Sequence, residues 1–451
     1  MKILLIAPPL LARFTSVSTL PPLGLASIAA VLEKNGFETR IIDVSAEEAS
    51  ENDIITEVGN YRPDIIGISS TTPAYPFAKG IMKRIKEEFP ENLVVIGGVH
   101  PTFMPEQALQ DGFDFAFKGE GEHTFLRFCQ EYDRTRNRDG MQAGTQTDPI
   151  ENLDELPFPA YHLLPFQKYQ KFMPPSISRR KPWVAYCSSR GCPFGCIFCS
   201  VTKFWGNVWR GHSPKRMADD IERLIKEYKI RSVNFVDDNF TFNRGRILEF
   251  CRLVKERGMR FEWSCSCRVD QVDEELLKEM KSAGCWRIGF GVESGDPEVL
   301  KWYGKGITVE KARIAFKLCK ETGISVFGFF IMGAPPETEE SLKMTLKLAL
   351  ELDPDIMGLG FLTPFPGSRL WCYVQENSLL LEKNLDSFDQ VYPVIKTGIP
   401  PEKLIEYSKK MYHDFYYRPS YVLRQVRRNL RDPRMLAHGV KAIVNRVRIK
   451  G

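Results

Sequence analysis

Three cysteines lie within eight residues, in the segment Arg190-Gly-Cys-Pro-Phe-Gly-Cys-Ile-Phe-Cys199. Their spacing is C-x3-C-x2-C, which puts Cys192, Cys196 and Cys199 on a short loop that contains Gly and Pro. Three such thiolates can surround one face of a cubic iron–sulfur cluster and leave one iron open to a reacting molecule. A structural zinc site would need four protein ligands, normally in two separated pairs. Cys187 or His212 could supply a fourth ligand, but no second C-x2-C follows, so the pattern favours the cluster.

The remaining cysteines carry a weaker signal. Cys265 and Cys267 are two residues apart on a predicted strand, so their side chains share one face. They could line a substrate pocket or serve a second cluster, but small buried packing residues are the favoured interpretation. Cys129, Cys251 and Cys319 lie in helical patterns and are also predicted to be packing residues.

The composition is that of ordinary globular domains, with 451 residues, 43% hydrophobic content and a net charge of +5. At roughly 100–200 residues per domain, this predicts two to four domains and excludes disorder as the main state. No apolar run reaches the ~18–20 residues that a membrane span requires. The apolar opening is too short for a signal peptide, and Pro8-Pro9 breaks it. We therefore predict a cytoplasmic protein, in which eleven cysteines argue against a disulfide framework.

Residues 1–135 alternate strand and helix signals and predict a five-stranded, mostly parallel, doubly wound sheet. The predicted strands are Ile3–Ala7, Thr39–Asp43, Ile65–Ser69, Leu93–Gly97 and Phe113–Phe117. At their carboxyl ends stand small residues, in Ser69-Ser-Thr-Thr72, Gly97-Gly98 and Gly119-Glu-Gly121. Small residues let a ligand approach the backbone, but ordinary tight turns would give the same pattern.

From residue 136 to 182 the alternation is lost, and the composition predicts an interdomain linker that crosses a surface in extended form. A second alternation over residues 183–385 contains six βα units, which predict a partial barrel with its site at the strand carboxyl ends. Its strands are predicted at Val184–Ser188, Ser232–Val236, Phe261–Ser266, Arg287–Val292, Val326–Ile331 and Ile356–Leu362.

Residues 386–451 are predicted to be helical and end in a basic segment. From Arg418 to Gly451 the net charge is +9, with Val422, Val426 and Leu430 at helical spacing. Three interpretations compete: a helix that docks on the protein's own barrel, contact with an anionic membrane surface, or an anionic partner. Nucleic acid is disfavoured, because no interleaved aromatic residues accompany the charge.

The cysteine loop and the strand ends of residues 183–370 together resemble the radical S-adenosylmethionine (SAM) superfamily. Its signature is C-x3-C-x2-C with an aromatic residue, here Phe198, before the last cysteine. The matching later segments are Val236-Asp-Asp-Asn-Phe-Thr241, Gly289-Phe-Gly-Val-Glu-Ser294, Gly328-Phe-Phe-Ile-Met-Gly-Ala-Pro-Pro-Glu-Thr338 and Thr363-Pro-Phe-Pro-Gly-Ser368. The resemblance implies a partial (β/α)6 barrel that holds a [4Fe–4S] cluster and SAM.

The resemblance also assigns SAM contacts. Asp237 or Asp238 would accept from the SAM ammonium, and only one of them should face inward because neighbouring strand residues point to opposite faces. Glu293 suits the ribose diol, and the resemblance implies that Ser294 of the same motif also contacts SAM. Arg268, after the third barrel strand, could bind the SAM carboxylate or be a solvated strand-end charge.

The first domain resembles the cobalamin-binding domain found ahead of such barrels. The matching segments are Leu20-Pro-Pro-Leu-Gly-Leu25, Ser69-Ser-Thr-Thr72, Gly97-Gly-Val-His-Pro-Thr102 and Gly119-Glu-Gly-Glu122. This implies that cobalamin contacts Ser69, Ser70, Thr71, Gly97, Gly98 and Gly119, with its tail threaded between the second and third of these segments. The D-x-H-x-x-G motif that supplies a cobalt-ligating His is absent, so we expect no His ligand from that motif.

The fold expectation is thus an α/β chain: a doubly wound Rossmann-like cobalamin domain, a partial radical SAM barrel and a helical C-terminal extension. The implied function is a cobalamin-dependent radical SAM enzyme, most simply a methyltransferase on a weakly activated carbon. The alternative is a cyclase or ring-rearranging enzyme with the same cofactors. The expected partners are a small-molecule substrate, which could be a lipid or another large apolar molecule, and an electron donor of flavodoxin or ferredoxin type.

Overall fold

The structure is a computed structural model that describes residues 1–9, 20–138, 140–141, 149–171, 178–382 and 384–429. The strands of the described residues are β1 Lys2–Ala7, β2 Glu38–Asp43, β3 Ile65–Ser69, β4 Leu93–Gly97, β5 Phe115–Ala116, β6 Trp183–Tyr186, β7 Ser189–Arg190, β8 Arg210–Gly211, β9 Ser232–Phe235, β10 Glu262–Cys267, β11 Cys285–Glu293, β12 Ser325–Met332 and β13 Ile356–Phe361. The α-helices are α1 Leu23–Lys34, α2 Val44–Glu47, α3 Glu51–Tyr61, α4 Tyr75–Glu88, α5 Val99–Phe103, α6 Pro105–Asp111, α7 Gly121–Thr135, α8 Phe166–Tyr169, α9 Val201–Phe204, α10 Pro214–Tyr228, α11 Arg244–Glu256, α12 Glu274–Ser282, α13 Pro297–Tyr303, α14 Val309–Thr322, α15 Glu339–Leu352, α16 Arg369–Glu376, α17 Pro401–Tyr416 and α18 Pro419–Asn429.

The first sheet has five parallel strands in the order β2-β1-β3-β4-β5. Its strands are rich in Ile, Leu and Val because both faces are buried, each under its own layer of apolar residues. The predicted doubly wound sheet is confirmed, although β5 is shorter than predicted. The chain leaves β1 for β2 on one side and then returns to β3 on the other, and open α/β sheets bind ligands at the carboxyl ends beside such a switch point.

The second sheet has six parallel strands in the order β13-β12-β11-β10-β9-β6. Alternate residues of these strands face the surrounding helices: Trp263 of β10 packs on Phe250 of α11, and Phe290 of β11 packs on Phe316 of α14. This is the predicted partial (β/α)6 barrel, with the intervening strand faces turned toward its interior.

Cys265 and Cys267 lie on the helix-facing side of β10, with their sulfur atoms 3.6 Å apart. Both belong to the same buried apolar cluster as Cys251 and Cys319. The structure therefore supports packing, rather than a place in the substrate pocket, for this pair. Burial raises the pKa of the Cys265 thiol well above its usual value, which keeps it neutral.

The linker is not an extended surface crossing over its described part, residues 149–171, so that prediction was wrong there. Leu153, Leu156 and Tyr161 are buried. The Tyr161 hydroxyl donates to the Ala185 carbonyl of β6 at 2.8 Å, and the Tyr169 hydroxyl donates to Asp43 of the first domain at 2.6 Å. The Gly, Pro and Thr content of this segment predicts an irregular backbone. It carries no information on side-chain burial, and the Leu and Tyr side chains between the turns are in fact buried against both domains.

The C-terminal region packs on the barrel. Phe388, Val394 and Ile395 share an apolar cluster with Leu370 of α16, so the predicted boundary at residue 385 divides one packed unit. Tyr412 and Tyr416 of α17 accept hydrogen bonds from backbone N–H groups of β13, at 3.1 and 3.0 Å, and so cover the open edge of the sheet.

The first part of the basic segment also docks on the barrel. Arg418 and Arg424 form ion pairs with Asp353, and the buried Tyr421 donates to the Asp355 carbonyl at 2.9 Å. This supports the docking-helix interpretation for residues 418–424, whereas Leu430 and the rest of the tail lie outside the described residues. None of the described helices is long and apolar enough to cross a membrane.

Candidate active site

The cysteine loop begins where β7 ends and is held at its start by Gly191. The Gly191 N–H donates to the Asp238 carboxylate at 3.0 Å. Gly191 has a φ of +91°, and a Cβ there would collide with the Val208 carbonyl oxygen. Only glycine tolerates both conditions, which explains the Arg-Gly-Cys sequence at this turn.

The far side of the loop is held by two later parts of the barrel. The Ile197 N–H donates to the Tyr303 carbonyl at 2.9 Å, and the Leu370 N–H donates to the Ile197 carbonyl at 2.8 Å. Arg369, next to Leu370, donates to the Gly195 carbonyl. Phe198 packs edge-on against the Tyr303 ring at 5.3 Å between centroids. The aromatic residue of the cysteine signature thus anchors the loop to the end of α13.

The three thiols of this loop fit an iron–sulfur cluster. All are partly exposed, and the Cys199 N–H donates to the Cys196 carbonyl at 3.2 Å, which folds the loop back on itself. Burial, with a smaller contribution from negative charge on Cys196 and Cys192, raises the pKa of the Cys199 thiol to about 12. Among the described residues, no three His, Cys, Asp or Glu side chains are grouped around a single metal position. A cubic cluster instead takes its thiolates on separate irons.

The two residues that could complete a zinc site, His212 and Cys187, are both engaged elsewhere. The His212 ring is hydrogen-bonded to Asp154 at 3.1 Å, and the Cys187 sulfur contacts the Ser189 carbonyl at 3.2 Å. Both side chains therefore already have partners outside the cysteine loop.

Asp237 and Asp238 lie beyond the end of β9 and differ in their burial. Asp237 is buried and accepts from the hydroxyls of Ser188 and Ser189 at 2.6 and 2.5 Å. Burial raises its pKa, and nearby Arg246 partly offsets this. Asp238 is exposed and holds the Gly191 turn. Asp237 is thus an internal anchor, whereas Asp238 remains accessible beside the cysteines.

Asn239 is a site residue that the sequence reasoning missed, although it stands in the quoted Asp-Asp-Asn motif. Its amide nitrogen lies 4.0 Å from the Cys192 sulfur. Its Oδ1 is buried and has no hydrogen-bond partner within the described part of the chain. An unpartnered buried acceptor next to the cysteines is a suitable recipient for an ammonium donor.

Glu293 lies at a bulge at the end of β11, where its φ is +68°. It forms a buried ion pair with Lys305, whose ammonium also donates to the Gly291 carbonyl at 2.7 Å. Lys305 follows α13 and had no signal in the sequence. The charges of Lys305 and Arg268 would lower the pKa of the Cys196 thiol, although its burial raises that pKa more strongly.

Arg268 is not a solvated strand-end charge, because it is only 7% exposed. Its guanidinium makes two 2.9 Å hydrogen bonds to Asp270 and one of 2.8 Å to the Lys305 carbonyl. It also lies 3.6 Å from the centroid of the Phe194 ring of the cysteine loop. These contacts make Arg268 a support for the loop and for Lys305.

Ser294 lies away from the cysteines. It is fully buried, and its hydroxyl is 3.1 Å from that of Thr345 on α15. The same hydroxyl accepts from the Asp296 N–H at 3.2 Å. These contacts favour a structural role at the start of α13.

The barrel interior beside this site has an apolar wall. Phe327 and Phe329 of β12 stack at 4.1 Å between centroids, and Phe329 is 39% exposed. Gly289 and Gly358 on the neighbouring strands make room for these rings, since a Cβ would lie 3.0 Å from Phe329 and 2.7 Å from Phe327, respectively. Ser266 on β10 is exposed on the same side of the sheet.

The carboxyl edge of the first sheet differs from the predicted groove. The Ser70 N–H donates to the Gly97 carbonyl at 2.9 Å, and the His100 N–H donates to the Ser70 carbonyl at 3.0 Å. A Cβ on Gly98, whose φ is +101°, would lie 2.8 Å from the Ser70 oxygen. No groove therefore separates Ser70 from Gly98, because β3 and β4 are neighbours whose turns are hydrogen-bonded. The topological switch point lies instead between β1 and β3.

The hydroxyls at this edge are not equivalent. Ser70 is buried and donates to the Thr71 carbonyl at 2.9 Å, whereas Ser69 is partly exposed and Thr71 is exposed. The Gly119 N–H donates to Thr102 at 3.0 Å. Of the predicted cobalamin contacts only Ser70 is buried, whereas Thr71 is exposed and Ser69, Gly97, Gly98 and Gly119 are partly exposed. A Cβ on Gly97 would find only the Phe117 Cβ at 3.8 Å.

His100 is fully buried below this edge. Its ring stacks on Tyr75 at 4.0 Å and lies 3.3 Å from the Thr72 hydroxyl. Burial lowers the pKa of His100 to about 4, so the ring is neutral at physiological pH. This position supports the expectation that it does not coordinate cobalt.

The cysteine loop and the edge of the first sheet meet across the domain interface. Phe103 of α5 packs near Phe204, which follows the cysteine loop, at 6.5 Å between ring centroids, and it also lies against Gly367. Arg190 reaches back to Glu120 and Glu122 of the first domain at 2.5 Å each. Both candidate cofactor sites thus border one interdomain region.

Comparison with known proteins agrees with this geometry. Residues 186–349 match the family described as the radical SAM superfamily, and residues 10–128 match the B12 binding domain. The "uncharacterized methyltransferase PH0819" of Pyrococcus horikoshii is 36% identical over 442 residues, which cover 94% of this chain and 95% of that protein. The chain belongs to the B12-binding radical SAM family.

Two further relatives show the range of this family. The anaerobic magnesium-protoporphyrin IX monomethyl ester cyclase of Rubrivivax gelatinosus is 30% identical, with 83% of this chain and 70% of that protein covered. The structure of OxsB with aqua-cobalamin and S-adenosylmethionine bound superposes with a TM-score of 0.72 at 19% identity, over 97% of this chain and 71% of that one. As a family member, the protein is an enzyme whose cofactors are a [4Fe–4S] cluster, SAM and cobalamin.

Proposed function

We propose that this enzyme is a C-methyltransferase that modifies a weakly activated carbon of a small-molecule substrate. The observation that carries the proposal is the meeting of the cysteine loop and the first-sheet edge at one interdomain region, which would let both cofactors act on one substrate. The relative named as a methyltransferase is also more similar, over a larger share of its length, than the cyclase.

In this proposal Cys192, Cys196 and Cys199 ligate three irons of the cluster. When bound, the cluster and SAM would supply the radical chemistry that removes a hydrogen atom from the substrate, and cobalamin would supply the methyl group. Asn239 Oδ1, with Asp238 beside it, would accept from the SAM ammonium.

Two buried cations, Lys305 and Arg268, would balance the negative charge of the thiolate-ligated cluster and of the SAM carboxylate. Lys305 pairs with Glu293, and Arg268 pairs with Asp270, so removing either cation leaves a carboxylate without its counterion. We propose that Glu293 binds the ribose diol while it holds Lys305 toward the cysteines.

The proposed role of Glu293 has a direct test. Glu293→Gln should weaken SAM binding to the reconstituted enzyme, since losing the charge of the carboxylate that accepts from the ribose hydroxyls costs about 1.5–3 kcal/mol. Glu298→Gln, at an exposed position of neighbouring α13, is the matched control. Wild-type affinity in Glu293→Gln would remove Glu293 from the ribose site.

The barrel wall formed by Phe327 and Phe329 favours a substrate with an apolar face. A lipid or another large apolar molecule would satisfy it, and the exposed Val422 and Leu423 beside the docked arginines would suit a peripheral contact with an anionic membrane. A flavodoxin or ferredoxin would supply the electrons.

The second candidate is a cyclase or ring-rearranging enzyme, which the cyclase relative favours. Mass spectrometry of metabolites and lipids separates the two candidates. Cells with the wild-type gene are compared with cells that carry Cys192→Ala, and the exposed Cys372→Ala serves as control. Methyl transfer is supported by a compound that is present only in cells with active enzyme and is heavier, by one CH2, than a compound that accumulates in the Cys192→Ala cells. A product with an unchanged carbon count would overturn it.

A further inference from the structure

Two carboxylates of the first domain meet two arginines of the barrel at the domain interface. Arg190 donates one hydrogen bond to Glu120 and one to Glu122, at 2.5 Å each, and Arg210 donates to Glu120 at 2.7 Å. All four side chains are at most 13% exposed. We call these four residues the interdomain ion-pair network.

The strand pair β7–β8 holds the two positive charges of Arg190 and Arg210 next to each other. Arg190 and Arg210 are direct partners in the antiparallel pair β7–β8, so they would repel each other without the two glutamates. The Trp205 ring lies beside both guanidinium groups, at 5.4 and 5.9 Å from its centroid. Burial alone would raise the pKa of Glu122, but Arg190 and the Ser27 hydroxyl outweigh it and lower that pKa.

Each end of the network leads to a different cofactor site. Glu120 and Glu122 follow Gly119 at the carboxyl end of β5, on the edge that also carries Ser69 and Thr71. Arg190 is followed by Gly191, whose N–H is bound to Asp238 and whose α-carbon abuts the Val208 carbonyl, and then by Cys192. A shift of Arg190 would therefore be passed to Cys192 through a turn that Asp238 and Val208 both contact.

Stability alone is a poor explanation for this arrangement. Buried ion pairs often contribute little net stability compared with apolar packing, because desolvation offsets their attraction. A guanidinium that is bound to two carboxylates fixes the distance and the relative orientation of the two segments that carry these groups.

We propose that Arg190 is a positioning residue, which sets the cysteine loop at a defined distance from the cobalamin-binding edge through Glu120 and Glu122. This inference builds on the proposed use of both cofactors in one reaction. The network keeps the cluster and cobalamin at a fixed distance from each other, and without the network this distance varies.

The test measures the distance between the two cofactors rather than product formation. In the substrate-free holoenzyme with reduced cluster and cob(II)alamin, pulsed electron paramagnetic resonance reports the distribution of distances between the two spins. Arg190→Lys keeps the charge but loses the fork that reaches both carboxylates. We expect a broader distribution that is shifted from the wild-type distance, and the same for Glu122→Gln.

The matched control is Arg216→Lys. Arg216 also forms a buried ion pair, with Asp220 at 2.8 Å, and binds the Leu156 carbonyl, but it does not contact the cysteine loop or the first-sheet edge. Arg216→Lys should lower the thermal stability of the protein, while the distribution of distances between the two cofactors stays as in wild type. If Arg190→Lys lowers stability equally and leaves the distribution unchanged, the network only stabilises the interface and the proposal is wrong.

A milder variant covers the case in which Arg190→Lys fails to load cofactors. Ser27→Ala removes only the 2.8 Å hydrogen bond to Glu122 and should broaden the distribution to a smaller extent. An unaltered distribution there would count against the proposal. Because no substrate is present, a finding that the product gains no methyl group would overturn the proposed function without changing this result.

Discussion

The cysteine loop and the carboxyl edge of the first sheet both present small residues to a cofactor, but they are built differently. The loop is bound by three separate parts of the barrel, namely Asp238, Tyr303 and the adjacent pair Arg369 and Leu370, so its shape depends on elements far away in sequence. The first-sheet edge is held mainly by hydrogen bonds between neighbouring strand turns, as between Ser70 and Gly97. We therefore expect the loss of one distant anchor to disturb the whole cysteine loop and with it cluster assembly. A change in one turn of the first-sheet edge should instead affect cobalamin binding at that turn and leave the cluster intact.

The largest expected effect comes from Cys192→Ala, which should abolish the cluster. Losing one of three thiolates leaves two irons without a protein ligand, so the reconstituted protein should fall from about four irons per chain to a small remainder. Iron, sulfide and visible absorbance measure this. Cys372→Ala removes an exposed thiol and should retain full iron content. About one zinc per chain without visible absorbance would contradict the cluster assignment.

Gly191→Ala should also prevent cluster assembly, although every cysteine remains. The added Cβ would collide with the Val208 carbonyl at a φ of +91°, so the start of the loop must move. Gly195→Ala is the matched control, because its Cβ would meet only Arg369 Nη2 at 3.7 Å. Equal iron content in the two variants would show that the loop does not need its distant anchors.

Gly98→Ala tests the edge. Its φ of 101° and ψ of −167° belong to a region used almost only by glycine, and non-glycine residues in such regions cost about 1–3 kcal/mol. We expect lower thermal stability and weaker cobalamin binding, measured by absorbance, with full iron content. Gly97→Ala should fold normally, so a loss of cobalamin binding in that variant alone would mean that the cofactor passes directly over Gly97.

The smallest effect concerns the pH dependence of the first domain. Burial lowers the pKa of His100 to about 4, although Asp111 opposes this, while the unfolded chain titrates near 6.5. The stability contributed by the neutral ring is complete above pH 6.5 and decreases as the pH falls toward 4, by up to about 1.4 kcal/mol per pH unit. His100→Phe should remove this slope. Urea denaturation at pH 7 and pH 5 measures the free energy of unfolding of both proteins. If the variant and the wild type differ by the same amount at both pH values, the pKa of His100 is not lowered in the folded protein.

Much of the fold could be predicted because its signals are local. Runs such as Ile65–Ser69 and Leu93–Gly97 are bounded by turn residues and buried on both faces, and the structure gives them the predicted bounds. The C-x3-C-x2-C spacing is equally local, since one loop supplies all three ligands. The extended linker was predicted wrongly because turn composition carries no information about which side chains another domain will cover.

What the sequence by itself determined is the set of parts: two parallel α/β units, a three-cysteine loop and small residues at strand ends. Only the tertiary structure decided which of these parts meet. Asn239 lies at Cys192, and Lys305 pairs with Glu293, through contacts between separate elements that no spacing along the chain predicts. The same holds for Arg190, which lies 70 residues from Glu120 in sequence but within hydrogen-bond distance in space. Hydrophobic periodicity reports which face of an element is buried, whereas the identity of the partner across that face depends on how the elements pack.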